Sequence, residues 1–234
     1  MEVSRSAAAG ATRDRIVAAA ARLLAEGGRE AVSTRAVSAA AGVQAPAIYR
    51  LFGDKQGLLD AVATHGFAAY LNDKTDVKAS DDPVEDLRAG WDLHIGFGLA
   101  NPALYSLMYG EPRPGASSPA AVAAAGILAG HIRRIAEAGR LRVSEERAAH
   151  LVHAAGSGTT LTLIAMPEDR RDPALSGTAR EAVIAAITTG APATTTPGPV
   201  SAAVALRAVL PQTSVLTTHE RALLQEWLDR IARC

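Results

Sequence analysis

The sequence predicts an all-α protein, and three observations carry that expectation. Alanine supplies much of the 48% hydrophobic content, and alanine is the best helix former. Aromatic residues make up only 4% of the chain, and β-branched residues are also sparse, so there is little to build a sheet from. Apolar side chains recur at helical spacing, in segments punctuated by Gly, Pro and capping residues. A length of 234 residues fits one large domain, or a small domain fused to a larger one.

The elements follow in order. Residues 1–11 are expected to fray. Thr12 is placed to cap a helix whose Ile16, Val17, Ala20, Leu23 and Leu24 form an amphipathic stripe, ended by Gly27–Gly28. Ser33 is a good N-cap for a short second helix through about Ala41, with Val37 and Ala40 or Ala41 inward. Gly42 stops that helix. Pro46 then falls in the first turn of a third helix, where its missing N–H costs nothing, with Ile48, Leu51 and Phe52 on the buried side. Two short helices joined by so tight a corner make a helix-turn-helix, whose second helix typically enters the DNA major groove. Asp54 is expected to cap a fourth helix carrying Leu58, Leu59, Val62, Phe67 and Tyr70.

A second region opens at the acidic "DDP" of 81–83. A helix over about 84–100 carries Leu87, Trp91, His94, Ile95, Gly98 and Leu99, and Asn101–Pro102 is a stop and a restart. A Pro/Gly/Ser loop covers 110–119, and helices are expected over 120–138, 145–166 and 174–190. The stretch "GAPATTTPGP" (190–199) reads as a linker, with two last helical patterns over 200–210 and 218–232. The expected division is 1–60 for the helix-turn-helix domain, 61–190 for a larger helical bundle, and 191–234 for a linker and additional helices.

Formal net charge is zero, so the whole chain shows no bias toward a polyanion. Residues 1–55 carry eight Lys or Arg against five acids, a local excess of three that weakly favours an anionic partner at that end. Cys234 is the only cysteine, which excludes an intrachain disulfide and a cysteine-based zinc site and fits a reducing cytoplasm. No apolar run reaches the roughly 18 residues of a membrane span, and no apolar core precedes Thr12 to make a secretory signal. A cytoplasmic protein without a membrane partner is expected.

"RDRIVAAAARLLAEGG" is followed by "STRAVSAAAGV" and then by "APAIYRLFGDKQGLL". Together, residues 12–60 resemble the DNA-binding domain of the TetR family of bacterial regulators. Ala41, Gly42, Val43, Tyr49, Phe52, Lys55, Leu58 and Leu59 fit the family pattern. The resemblance implies that Tyr49 touches a backbone phosphate, and that Lys55 adds its charge to free N–H groups at a helix start to hold another. It implies that Thr34 and Arg35 reach the backbone and groove edge, Arg35 being long enough for guanine. Gln44, Ala45, Pro46, Ala47 and Arg50 are then groove-facing. Three positions depart from the pattern: Ser38 stands at a usual alanine, Leu51 replaces a frequent histidine, and Ala45 and Ala47 bring no hydrogen bonds, leaving methyl contact with thymine.

Beyond residue 60, "GWDLHIGFGLANPALYSLMYG" (90–110) is similar to one common C-terminal type of the family. The resemblance implies a ligand cavity lined by Trp91, His94, Phe97, Gly98, Tyr105, Met108 and Tyr109, with His131 and His153 as polar groups. Ordinary core is the alternative for each. His150 and His153 stand at i, i+3, but no third metal ligand is evident, so neither metal nor cofactor is expected. Residues 145–166 and 174–190 match the helices that form a four-helix bundle with a second subunit in the family, though the small residues of "HAAGSGTTLTL" would equally suit a neighbour within one chain.

The implied function is a homodimeric repressor that binds an inverted-repeat double-stranded DNA operator and is released by a mostly apolar small molecule. The rival readings are a helical small-molecule-binding protein, or an enzyme, without specific DNA binding. The sequence holds no Walker loop, nucleophile elbow, dinucleotide fingerprint or paired acids, so an enzyme is not expected.

Overall fold

The computed structural model describes residues 2–73, 80–110, 117–189 and 198–233. Among these residues it contains eleven α-helices, two short 3-10 turns and one isolated antiparallel bridge, Leu141 with Thr188. The chain divides into two compact units, Met1–Val77 with Phe97–Ala123, and Lys78–Gly96 with Ala124–Cys234. Most of the expected 110–119 loop (111–116) and of the linker (190–197) lies outside the described residues.

In the first unit, α1 runs Glu2–Ala31, α2 Thr34–Ala41, α3 Ala45–Phe52, α4 Lys55–Asp73 and α6 Pro102–Tyr109. The expected start at Thr12 is corrected: the helix begins at Glu2, because residues 2–11 are rich in alanine and contain no proline. Gly27 and Gly28 do break it. Gly28 sits at φ 65°, ψ −166°, a conformation that only glycine adopts without strain.

Ser33 caps α2 by accepting a hydrogen bond from the Ala36 N–H at 3.1 Å. Gly42 closes it in the left-handed region (φ 63°), and the Val43 N–H returns to the Ser38 carbonyl at 3.0 Å. Val37 and Ala41 turn inward, whereas Ala40 is exposed, one position off the inward stripe. Pro46 occupies the first turn of α3, and Ile48 is its buried residue. These side chains join Ile16, Val17, Ala20 and Leu24 of α1 and Leu58, Leu59 and Val62 of α4 in one core, with Leu51 and Phe52 partly buried against it. Leu104 and Leu107 of α6 pack on the same cluster.

Two close approaches shape this unit. Gly57, in the first turn of α4, has no room for a Cβ, which would be driven into the Phe52 carbonyl at the end of α3. Gly66 leaves space for the Leu104 side chain; a Cβ there would lie 2.6 Å from its Cδ2. Aromatic contacts continue inward: Phe97 meets Phe67 edge-on at 5.5 Å, and Tyr70 at 4.7 Å.

In the second unit, α5 (Pro83–Ala100, through Gly96) lies with α7 (Pro119–Glu137, from Ala124), α8 (Glu145–Ala165) and α9 (Leu175–Ile187). Ion pairs join them. Arg88 of α5 pairs with Glu181 of α9 at 2.8 Å, and Arg180 pairs with Asp92 at 2.7 Å. Asp86 accepts from Arg134 and from the Ser80 N–H; burial opposes its charge, but these hydrogen bonds outweigh it and hold its pKa below the usual range. The helices α10 (Pro199–Val209) and α11 (Thr218–Ala232) form a hairpin around Ala203, Leu210 and Leu228. Thr217 and Glu220 make a reciprocal capping box on α11. Arg207 of α10 reaches Asp229 at 3.0 Å and Glu146 of α8 at 3.5 Å.

Ser38 carries a testable cost. Its hydroxyl is buried with no hydrogen-bond partner among the described residues. Ser38→Ala removes an unsatisfied group and raises helix propensity, and should stabilise the protein by about 1 kcal/mol. Thermal unfolding of the two proteins checks this; an unchanged or lower Tm in the variant contradicts it.

Candidate functional site

The corner between α2 and α3 is one exposed face. Arg35, Gln44, Pro46, Arg50 and Lys55 are exposed there, Thr34, Ala45 and Ala47 are partly exposed, and Tyr49 is 53% exposed. Opposite them Val37, Ala41 and Ile48 are buried, so the helical period separates a packed side from a free side. Arg35, Arg50 and Lys55 make no ion pair among the described residues, which leaves three cations on this face. An exposed, uncompensated cation is available to a phosphate. The Tyr49 ring stands clear of the core, so its phenol is open to an acceptor outside the chain.

Lys55 is the first residue of α4. The expectation of free N–H groups there needs one correction: the Gly57 N–H is taken by the Asp54 carboxylate at 2.7 Å, which caps the helix itself.

Two arginines of α1 escaped the sequence reading. Arg15 donates from Nε to the Ala41 carbonyl at 3.1 Å, which satisfies an acceptor at the end of α2. The Arg13 guanidinium lies 5.2 Å from the centroid of the Phe52 ring, an exposed cation beside the end of α3. Neither has a local signal, because each partner lies far along the chain.

The residues expected around a ligand fall in both units. Phe97, Gly98, Tyr105, Met108 and Tyr109 belong to the first, all buried but for the partly buried Tyr109. Tyr105 lies 6.2 Å from Phe97 and 4.7 Å from Tyr109, so these rings form one aromatic cluster. Burial pushes the Tyr109 phenol up, which keeps it neutral. Trp91, His94, His131 and His153 belong to the second unit. Trp91 is buried and donates to the Ser176 hydroxyl at 3.1 Å. Gly156 of α8 lies beside both Trp91 and His94; a Cβ there would make ordinary contact, 3.5 Å from the indole and 3.6 Å from the imidazole. His131 lies beside Gly90, where a Cβ would be 3.2 Å from its Nε2. His153 is exposed, with Nδ1 at 3.5 Å from the Ser157 hydroxyl. Among the described residues no group of three or more His, Cys, Asp or Glu is placed to hold a metal, and no helix is long and apolar enough to cross a membrane.

A capped, eight-residue helix set across a tight turn from a second one, with its outer face basic, forms a helix-turn-helix. Residues 16–62 match the model of the bacterial regulatory proteins of the tetR family. Solved structures agree in fold. A TetR-family transcriptional regulator from Agrobacterium tumefaciens is 21% identical, with a TM-score of 0.53 over 77% of this chain and 100% of that one. A TetR variant (Q116A) from Acinetobacter baumannii AYE, solved in complex with minocycline, is 22% identical, with a TM-score of 0.54 over 73% of this chain and 93% of that one. The transcriptional regulator SCO7222, a TetR from Streptomyces coelicolor, is 16% identical, with a TM-score of 0.51 over 94% of this chain and 87% of that one. No curated protein matches the chain.

The position of His94 sets a pH dependence. Burial, with a smaller contribution from His153, pushes its pKa down to about 4. The unfolded chain therefore binds a proton near pH 6.5 that the folded chain refuses until about pH 4. The stability this neutral imidazole protects is complete above pH 6.5 and is lost as pH falls toward 4. Urea unfolding across that window should show a slope approaching ~1.4 kcal/mol per pH unit from this group. His94→Asn should flatten the slope; an identical profile in the variant contradicts the assignment.

Proposed function

We propose that the protein is a ligand-responsive transcriptional repressor that binds an inverted-repeat operator as a homodimer and is released by a mostly apolar small molecule. The observation that carries this reading is the exposed α2–α3 face, where Arg35, Arg50 and Lys55 have no ion-pair partner among the described residues and Tyr49 stands open. In this reading residues 1–60 contact DNA and residues 61–190 sense the effector and dimerise. Thr34, Tyr49 and Lys55 hold phosphates. Arg35, Gln44 and Arg50 read base edges, and Ala45, Pro46 and Ala47 bring α3 close to the groove with apolar contact alone.

Dimerisation is supported by α8. Leu151, Ala154, Gly158, Thr162 and Ala165 recur every three or four residues, and all five are exposed. A Cβ at Gly158 would meet nothing within 4 Å. A stripe of small and apolar residues left open on a long helix suits the close approach of a second helix. The effector half of the reading rests on the aromatic and histidine groups around Trp91, His94, His131 and His153, and around Phe97, Gly98, Tyr105, Met108 and Tyr109. These combine broad apolar area with neutral polar tips. The effector acts only through its differential affinity for the DNA-competent and released conformations.

Two variants separate phosphate from base contacts. Lys55→Ala should weaken binding to all DNA sequences about equally and reduce the log–log salt slope by roughly one. Arg35→Ala should instead alter preference among operator variants, at about 1–3 kcal/mol for the base it reads. Gel-shift titrations over a salt series measure both. A Lys55→Ala protein with changed base preference and an intact salt slope would reverse the roles.

Symmetry gives a second check. A two-fold dimer should protect two inverted half-sites in a footprint. Ala154→Glu, on the open face of α8, should yield monomers in sedimentation and lose that paired footprint while remaining helical. A variant that stays dimeric, or a wild-type footprint on one half-site alone, counts against the dimer proposed.

A further inference from the structure

The second unit holds a cavity of about 380 Å³ whose lining includes none of the residues proposed to contact DNA or the effector. Its charged lining is Arg88, Arg140, Arg142 and Glu181, Thr188 and Thr189 add neutral polar groups, and Val84 and Ile184 form part of its apolar wall. Three guanidinium groups thus face one carboxylate. That carboxylate is already committed: hydrogen bonds from Arg88, then Arg180, hold the Glu181 pKa down at about 2.

Arg140 and Arg142 are differently placed. They flank Leu141, whose side chain is in the core at 1% exposure. Their backbone is pinned by two hydrogen bonds, from the Arg142 N–H to the Ile187 carbonyl at 2.9 Å and from the Thr189 N–H to the Arg140 carbonyl at 2.8 Å. In an extended segment residues two apart share a side, so burying Leu141 sends both arginines the other way. Arg140 gives one Nη to Asp82 at 2.6 Å, but its Nε–H is buried with no hydrogen-bond partner among the described residues. Arg142 is exposed and makes no ion pair among the described residues.

We propose that this cavity binds a small organic carboxylate, with Arg140 and Arg142 receiving the carboxylate and Val84 and Ile184 covering a short apolar body. The guanidinium fork matches the two oxygens of a carboxylate. An unsatisfied buried donor gains most from an anionic acceptor. The volume falls at the low end of the range for small-molecule sites, near 300–1,000 Å³. The inference does not rest on operator binding.

Calorimetric titration of the full-length protein with butyrate, benzoate, inorganic phosphate and chloride, at constant ionic strength, tests it. Saturable one-to-one binding of butyrate or benzoate is expected, with chloride silent. Arg142→Ala should weaken that binding about tenfold or more, as loss of one charge-assisted contact implies, and Arg142→Lys should fall between. Because Arg142 is exposed, both variants should keep the wild-type Tm, which separates lost binding from lost folding. Equal affinity in wild type and Arg142→Ala, no saturable heat with either carboxylate, or saturable binding of phosphate alone overturns the proposal.

Discussion

The exposed α2–α3 corner depends on burial of one side of two very short helices. α2 and α3 have eight residues each, below the length at which an isolated helix is stable in water. Neither can hold its shape alone. Val37 and Ala41 of α2 and Ile48 of α3 insert into the core built by α1 and α4, and that burial keeps both helices formed. Arg35, Tyr49 and Arg50 point outward because those three residues point inward. The interface and the core are two faces of the same periodicity.

The turn makes this arrangement possible. Gly42 takes a left-handed conformation that ends α2 and returns two N–H groups to its last carbonyls, while Pro46 begins α3 with a fixed φ. Gly57 then lets α4 begin hard against the end of α3. Lys55 is therefore held at a set distance from Tyr49 by backbone contact rather than by long side chains. In the proposed function Tyr49 and Lys55 would hold phosphates from two helices, and that rigidity would spare the side-chain entropy a loose pair loses on binding.

The second unit is organised by different forces. Its helices carry apolar cores, but arginines repeatedly bridge them: Arg88 and Arg180 to α9 and α5, Arg134 to Asp86, Arg207 between α8 and the α10–α11 hairpin. Most of these pairs are partly exposed and contribute modestly to stability. Their value is in register, since each arginine ties carboxylates of particular helices together. Arg142 stands outside that network, and this separates an anion-receiving group from a structural one.

Much was legible in sequence. Gly42, Pro46 and the apolar spacing of α1 to α4 specify a helix-turn-helix because caps, breakers and periodicity are local properties, decided within a few residues. Ser33 and Asp54 were readable as caps for the same reason. The start of α1 was misplaced because Thr12 is a competent cap, yet the alanine-rich segment before it is a competent helix too. Tertiary structure decided whatever joins distant residues. Arg15 reaches Ala41 across the fold, Leu104 fills the space at Gly66, and Trp91 and His94 both meet α8 beside Gly156. Arg140 and Arg142 flank Leu141 with no motif around them in the sequence. Only the packing of Leu141 and the bridge to Thr188 turn them into one wall of a cavity, because a cavity is a property of surfaces brought together and no single segment contains it.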